Sequence, residues 1–417
     1  MQKDAIKLMA QNGKIAAQKL LALTTKEKNL ILKKMADALA QYREKIKAAN
    51  KKDLALARKN NLSAALLDRL TLTDARIDVM VQSFYDIIKL KDPIDDVLEQ
   101  FKNKNGLIIK KVRVPIGLIG VIYESRPNVT ADVIALTLKT ANAIILKGGS
   151  EAINSNKAIL RAIFFGAKNT NLPKHAIQLI TTSDRNAISE LVQLTGIVDL
   201  IIPRGGEDLI NAVTKMARVP VIKHYKGVCH VYVDKDADIN KAIKICVNAK
   251  CQRPGVCNAM ETLLVQHDIA KKFLPQVAVC FKAQNVLLKG DDKVRKIILD
   301  AALATEDDWY AEYLGLVLAI KIVKDVNEAV THINHYGSHH SDAIVSENRA
   351  AQKYFTQQVD SAAVYVNAST RFTDGVEFGM GAEIGISTDK LHARGPMGLN
   401  ELTTYKYVVL GNGQVRK

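Results

Sequence analysis

The chain has 417 residues, 48% of them hydrophobic and 24% charged, enough to bury a large core and to form two domains or more. Its formal net charge is +16, and the first 60 residues alone hold 15 Lys/Arg against 5 Asp/Glu. With only 5% aromatics, no zinc-finger spacing and no RNP-like motif, nucleic acid is disfavoured as the partner of that charge; phosphorylated anions or a solvated basic surface remain.

The cysteines (Cys229, Cys246, Cys251, Cys257 and Cys280) are odd in number and show neither a CxxC pair nor Cys/His ligand spacing, so no metal is expected. No signal-peptide pattern and no apolar run near the ~18 residues of a membrane span is visible, and a reduced, cytoplasmic protein is expected.

In chain order, residues 1–60 read as helix. Leu32, Met35, Leu39, Tyr42 and Ile46 recur at helical spacing, and Thr24 with Glu27 forms a capping box ahead of them. The helical pattern runs to about residue 92, where Asp92-Pro93 breaks it. Gly106–Pro115 reads as a strand of mixed polarity, suited to an edge. From 116 the apolar runs 118–123, 143–147, 176–180, 197–202 and 219–223 alternate with helical segments near 130–141, 151–167, 184–194 and 206–217. That alternation predicts a parallel sheet covered on both faces, with ligands beyond the carboxyl ends of its strands. Two strand-to-helix turns there, Lys147-Gly148-Gly149-Ser150 and Arg204-Gly205-Gly206, offer bare backbone and a helix N-terminus to phosphate. Lys147 and Ser150 at the first turn favour NADP over NAD, with Glu151 one residue on weighing against it.

A second α/β unit is expected from about 229, with strands near 229–233, 262–265, 285–288, 314–320 and 341–345. Between its first two strands lies Gln252-Arg-Pro-Gly-Val-Cys-Asn-Ala-Met-Glu-Thr262. Pro254 fixes φ and Gly255 permits a sharp corner, so the Cys257 thiol and its backbone N–H face one space, the minimum for attacking a carbonyl and holding an oxyanion. An inert buried cysteine is the alternative. After Ala363–Asn367 comes a glycine-rich stretch to about 398 and a closing strand, Thr403–Leu410.

Four strings, Val114-Pro-Ile-Gly-Leu-Ile-Gly-Val-Ile-Tyr-Glu-Ser-Arg-Pro-Asn-Val-Thr130, Ile145-Leu-Lys-Gly-Gly-Ser-Glu151, Gln252-Arg-Pro-Gly-Val-Cys-Asn-Ala259 and Arg371-Phe-Thr-Asp-Gly-Val-Glu-Phe-Gly-Met-Gly-Ala-Glu-Ile-Gly385, resemble the aldehyde dehydrogenase superfamily. The resemblance covers essentially the whole chain. It implies an α/β protein of two doubly wound parallel-sheet domains plus a small β oligomerisation flap. The NADP-binding domain would take 1–102 and 121–228 with a returning segment near 346–365, the catalytic domain 229–345, and the oligomerisation segments 103–120 and 366–417, giving a homodimer or homotetramer.

The activity implied is NADPH-dependent reduction of L-glutamyl 5-phosphate to L-glutamate 5-semialdehyde with release of phosphate, the second step of proline biosynthesis from glutamate, with glutamate 5-kinase as functional partner. Cys257 would be the nucleophile and Asn128 a further oxyanion donor; Lys147, Gly148, Ser150, Gly205 and Glu312 would meet the cofactor. Arg253, Arg126 and Arg371 are candidates for the substrate's carboxylate or phosphate, because guanidinium binds both bidentately. Hydrolytic members of the superfamily carry a glutamate base where this chain reads Val221-Ile-Lys-His-Tyr-Lys-Gly227, with His224 and no carboxylate, so the sequence is suited to reduction rather than hydrolysis. Another NADP-dependent aldehyde dehydrogenase and a basic nucleic-acid-binding protein are the rival readings.

Overall fold

The computed structural model describes all residues except Met1, Ser183, Arg185, His224, Tyr225 and Lys417, and all side chains except also those of 2–4, 64 and 65. It divides into two units, residues 1–223, 379–385 and 397–417 in the first and 224–378 and 386–396 in the second.

The first unit opens with helices α1 (Gln2–Leu20), α2 (Thr25–Gln41), α3 (Arg43–Lys59), α4 (Ala64–Leu70) and α5 (Asp74–Lys89). The expected capping box starts α2: the Thr24 backbone N–H donates to the Glu27 carboxylate (2.8 Å) and the Glu27 N–H donates to the Thr24 hydroxyl (3.3 Å). Strands β1 (Val97–Lys102) and β2 (Ile108–Pro115) precede the parallel sheet built from β3 (Leu118–Tyr123), β4 (Ala143–Gly148), β5 (Ile177–Leu179) and β6 (Leu200–Arg204) in the order β5-β4-β3-β6. Every residue of β3 and β4 is buried, as a sheet covered on both faces requires. Helices α6 (Pro127–Lys139), α7 (Ile153–Ala167), α8 (Asn186–Val192) and α9 (Glu207–Met216) connect them.

α6 is apolar nearly all round and almost wholly buried. Its buried Lys139 is tolerated because the ammonium donates to Asn29 Oδ1 (2.7 Å) and to the Ile88 carbonyl (3.1 Å). The run 219–223, expected as a fifth strand, makes one isolated bridge, Val221 with Ile201. Its backbone bonds to the sheet reach Ile201 alone, which donates to the Pro220 carbonyl (2.9 Å) and accepts from the Ile222 N–H (3.1 Å), so no ladder forms.

The C-terminal strand Thr403–Leu410 pairs antiparallel with β2, and β1 covers β2's other edge, forming a separate three-stranded sheet. β1 is exposed along its length, and Phe101, Tyr405, Tyr407, Val409 and Leu410 present apolar surface. The Asn142 amide donates to the Leu402 carbonyl (2.8 Å) and so anchors the C-terminal segment to its own unit.

The second unit holds a seven-stranded sheet, parallel throughout, in the order β10-β9-β11-β8-β7-β12-β13, from β7 (Cys229–Val233), β8 (Met260–Gln266), β9 (Leu287–Gly290), β10 (Ala302–Leu303), β11 (Val317–Val323), β12 (Ser341–Val345) and β13 (Ala363–Val366). Helices α10 (Ile239–Cys251) and α11 (His267–Ala283) pack Cys246, Phe273, Val277 and Phe281 on one face of it, against Leu263 and Ile320; α12 (Val326–Tyr336) and α13 (Arg349–Gln358) bury Ile333 and Phe355 in a second core with Tyr232 and Ile344. Fully burying each such side chain contributes about 1.5–3 kcal/mol. Segment 346–365 belongs to this unit, with β13 beside β12, and does not return to the first. Of 366–417, only 403–410 joins the three-stranded sheet.

Gly166 marks where α7 crosses α2. A Cβ there would lie 2.2 Å from the Lys34 carbonyl oxygen and 2.9 Å from the Ala38 Cβ. Alanine is the better helix former by about 1 kcal/mol, but the overlap is with backbone. Gly166→Ala is expected to destabilise the first unit by about 1–3 kcal/mol in urea unfolding; a gain in stability would show that the helices part freely.

Candidate active site

In the first unit the ends of β3, β4 and β6 lie level, Tyr123 opposite both Gly148 and Arg204. Both glycine turns therefore open at one edge of one sheet, as the sequence predicts. Each turn is covered by an acid of the same unit. Glu151 folds back over Gly149 and accepts from the Ser125 N–H (2.6 Å) and hydroxyl (2.9 Å), holding Ser125 at φ +41°. Glu124 accepts the Gly206 N–H (2.9 Å), and a Cβ on Gly205 would meet its carboxylate at 2.4 Å. The N-terminus of α9 thus receives an anionic oxygen already, from the protein itself.

Lys147 is buried, and burial holds its ammonium below the usual lysine pKa while Glu151 opposes this; the amine donates to the Gly148 carbonyl (3.0 Å). Gly148 is packed too closely for a side chain, since a Cβ would lie 2.2 Å from the Asn156 amide and 3.2 Å from the Tyr123 ring. Ser150 is exposed at the start of a short 3₁₀ turn. These residues fit a phosphorylated nucleotide: a desolvated lysine at the end of β4 and, two strands over, an α9 N-terminus that accepts an anion, where a phosphate oxygen would take over from Glu124.

Pro127 begins α6, so Asn128 lies inside the helix rather than capping a turn. Its amide donates to Asp132 one turn on (3.1 Å), and Asp132 also accepts from the Ser83 hydroxyl (3.2 Å). Burial raises the Asp132 carboxyl to about 6; Asn128, Ser83 and the more distant Arg204 pull the other way. Arg126, the residue before the helix, makes no side-chain cap bond.

In the second unit Cys257 is half-buried with a free thiol, in the loop joining α10 to β8. Its backbone rests on the approach to β7. A Cβ on Gly227 would lie 1.9 Å from the Cys257 carbonyl oxygen and 2.4 Å from its Cα, so only glycine lets the chain pass there. The Cys229 thiol, fully buried, donates to the same carbonyl (3.1 Å). Gly255, expected as the enabling glycine, has no positive φ, and a Cβ there would meet only the Leu314 carbonyl at 3.7 Å. The glycine that the Cys257 backbone needs is distant in sequence.

Asn258 stitches the loop to the 370–373 turn. Its amide donates to the Thr373 carbonyl (2.8 Å), its carbonyl accepts the Thr370 hydroxyl (2.7 Å), and its side-chain oxygen accepts from Arg371. Arg371 also donates through Nε to Gln252 (2.9 Å), whereas Arg253 is exposed. Glu312 accepts the Gly227 N–H (2.9 Å), a structural bond for a residue expected to meet the cofactor. His224 lies outside the described residues. Cys251 is half-buried and unbridged, and burial raises its thiol pKa. Among the described residues no cluster of His, Cys, Asp or Glu could hold a metal, and no helix is long and apolar enough to cross a membrane.

Sequence reasoning missed Gly227, Cys229 and Asn258 as the seat of Cys257. Asn258 sat within the motif that drew attention; the other two carried no local signal.

Residues 1–296 match the model of the aldehyde dehydrogenase family. A relative in Carboxydothermus hydrogenoformans, named gamma-glutamyl phosphate reductase, is 52% identical over 413 residues, covering 99% of this chain and 100% of the relative. The crystal structure of gamma-glutamyl phosphate reductase from Thermotoga maritima has 49% identity and a TM-score of 0.96, with 99% of this chain and 100% of that one covered. A glyceraldehyde-3-phosphate dehydrogenase from Methanocaldococcus jannaschii, solved with NADP, shares the fold at 19% identity and a TM-score of 0.70, with 99% and 95% covered.

Two outcomes follow from this geometry. Gly227→Ala is expected to displace Cys257 and to lower thiol-dependent turnover about a hundredfold, while circular dichroism stays that of the folded chain; unchanged turnover would show that Gly227 does not position the thiol. Asp132, raised from 3.8 to about 6, holds its proton more tightly folded than unfolded, so its contribution to stability is present below pH 3.8 and lost as pH rises through 6. Asp132→Asn should therefore stabilise the chain by about 1–3 kcal/mol near pH 8 and by progressively less below pH 6; equal melting shifts at pH 5 and pH 8 would contradict the assignment.

Proposed function

The chain belongs to the aldehyde dehydrogenase family, and from that premise we propose that it reduces L-glutamyl 5-phosphate to L-glutamate 5-semialdehyde with NADPH, releasing phosphate. The observation that carries the reading is likeness over the full length, at 52% identity, to relatives named for that reaction.

The residues supply the steps. The Cys257 thiolate attacks the acyl carbon, and phosphate departs with the electron pair of the broken carbon–oxygen bond. NADPH, when bound, supplies the hydride. Cys257, its backbone held by Gly227, Cys229 and Asn258, keeps the acyl group in one orientation until the thiohemiacetal collapses and the thiolate returns. Asn128 is assigned to the oxyanion as the resemblance implies, its amide oriented by Asp132. Lys147, with the turns at Gly148, Ser150 and Gly205, is assigned to the nucleotide. Glu312 is assigned to the nicotinamide ribose, a role to be combined with its bond to Gly227. Because 221–227 holds no carboxylate base, water gains no help in cleaving the thioester.

On this reading the chain acts at the second step of proline biosynthesis, in the cytoplasm and after glutamate 5-kinase. The exposed apolar residues of the three-stranded sheet support a homodimer or homotetramer, since unpaired edges need cover.

Cys257→Ser is the direct test. NADPH oxidation in the presence of acyl phosphate should fall by at least about a thousandfold while NADPH still binds by fluorescence titration. Retained turnover in the variant would refute the nucleophile.

A further inference from the structure

Arg371 is a half-buried cation held without an acid. Its guanidinium donates to two neutral amides, Gln252 and Asn258, one near the start of the Cys257 loop and the other directly after the nucleophile. Among the described residues no carboxylate forms an ion pair with Arg371 or with Arg253. The acid next along the chain, Asp374, turns its oxygen to the N–H groups of Val376 (2.9 Å) and Glu377 (3.5 Å). Burial and repulsion from Arg253 hold the Arg371 pKa below the usual arginine value, and attraction to Cys257 and Asp374 opposes them. Desolvating one guanidinium and crowding it with a second costs free energy that a bound anion would return.

We propose that Arg371 and Arg253 form the subsite for the phosphate of the acyl phosphate, and for the inorganic phosphate that leaves, with the substrate's α-carboxylate bound elsewhere. The inference rests on the reaction proposed above and settles which end of the substrate these arginines take. The phosphate oxygen is bonded to the carbon that Cys257 attacks, whereas the α-carboxylate lies at the far end of the glutamyl chain. A guanidinium tied to the residue after the nucleophile is placed for the near group. As the sulfur–carbon bond forms, the carbon–oxygen bond to phosphate breaks and its electron pair stays on the phosphate oxygen. The two arginines neutralise that charge in both directions of the reaction, and no oxidation or reduction occurs until the hydride is transferred.

The test follows alkylation of Cys257 by iodoacetamide in the full chain, with inorganic phosphate as protectant and chloride matched for ionic strength. Phosphate should protect the unmodified chain saturably, and the concentration required should rise about ten- to a hundredfold in Arg371→Gln and in Arg253→Gln. Arg253 is exposed and makes no hydrogen bond among the described residues, so its variant keeps the fold even if the other does not. In phosphate-dependent oxidation of the semialdehyde, the KM for phosphate should rise by a similar factor while that for semialdehyde stays within about twofold. Protection unchanged in both variants, or a semialdehyde KM that rises while the phosphate KM stays fixed, would overturn the subsite. Phosphate protection that the variants lose in a chain that never turns over would leave the subsite standing and overturn the reaction. Turnover with a Cys257 that phosphate never protects would do the reverse.

Discussion

A lysine and a glutamate with no access to water, Lys250 and Glu261, hold the two ends of the loop that carries Cys257. Lys250 sits in the last turn of α10 and Glu261 at the start of β8, and their charged groups meet at 2.5 Å. Burial lowers the lysine and raises the glutamate, which stands at about 7 with the lysine's charge opposing the shift, as the glutamate's charge opposes that of the lysine. A buried pair of this kind adds little net stability, but losing one partner strands a charge and costs about 3–5 kcal/mol. The pair therefore acts as a geometric constraint on the span from 250 to 261. Glu261 extends it by accepting the Leu314 N–H (3.2 Å), close to Glu312, which in turn accepts the N–H of Gly227 under Cys257. One polar chain thus runs from α10 through β8 and the 312–314 turn to Gly227, against which the Cys257 backbone packs.

That constraint explains how Cys257 can hold one position in a loop. A thiol at a helix end would be placed by its helix, whereas here the helix stops at Cys251 and Cys257 lies six residues on. Its position is instead set by contacts on several sides: Gly227 and Cys229 below its carbonyl, Asn258 tied to the 370–373 turn, and Arg371 bridging Gln252 and Asn258. Positional precision is what an acyl transfer followed by hydride transfer demands, since both events occur at the same carbon. The first unit is built on the opposite plan. Its glycine turns gain their shape from carboxylates, Glu151 on Ser125 and Glu124 on Gly206, which already show these backbone N–H groups serving anionic oxygen.

The legible part of this fold was the part that local pattern determines. Strands 118–123, 229–233, 341–345 and 403–410 appear where apolar runs placed them, and the Thr24/Glu27 box caps its helix. Residues 219–223 have the same apolar texture but gain one bridge only, because a strand exists by its partner and not by its composition. Cys257 itself was visible in the motif. Its supports were not, because Gly227, Cys229 and Thr370 reach it through tertiary contacts that leave no periodicity. Gly255 misled for the complementary reason: a Pro-Gly pair signals a corner, yet its φ is not positive and space remains for a Cβ.

The central claim is that Cys257 carries a thioester which water is not helped to cleave. It is tested most directly by mixing the chain with NADP and L-glutamate 5-semialdehyde in the absence of phosphate and following NADPH. The account predicts a burst of about one NADPH per chain, a glutamyl adduct on Cys257 by mass spectrometry, and then near arrest until phosphate is added. Continued NADPH formation without phosphate, at a rate comparable to that with it, would contradict the account.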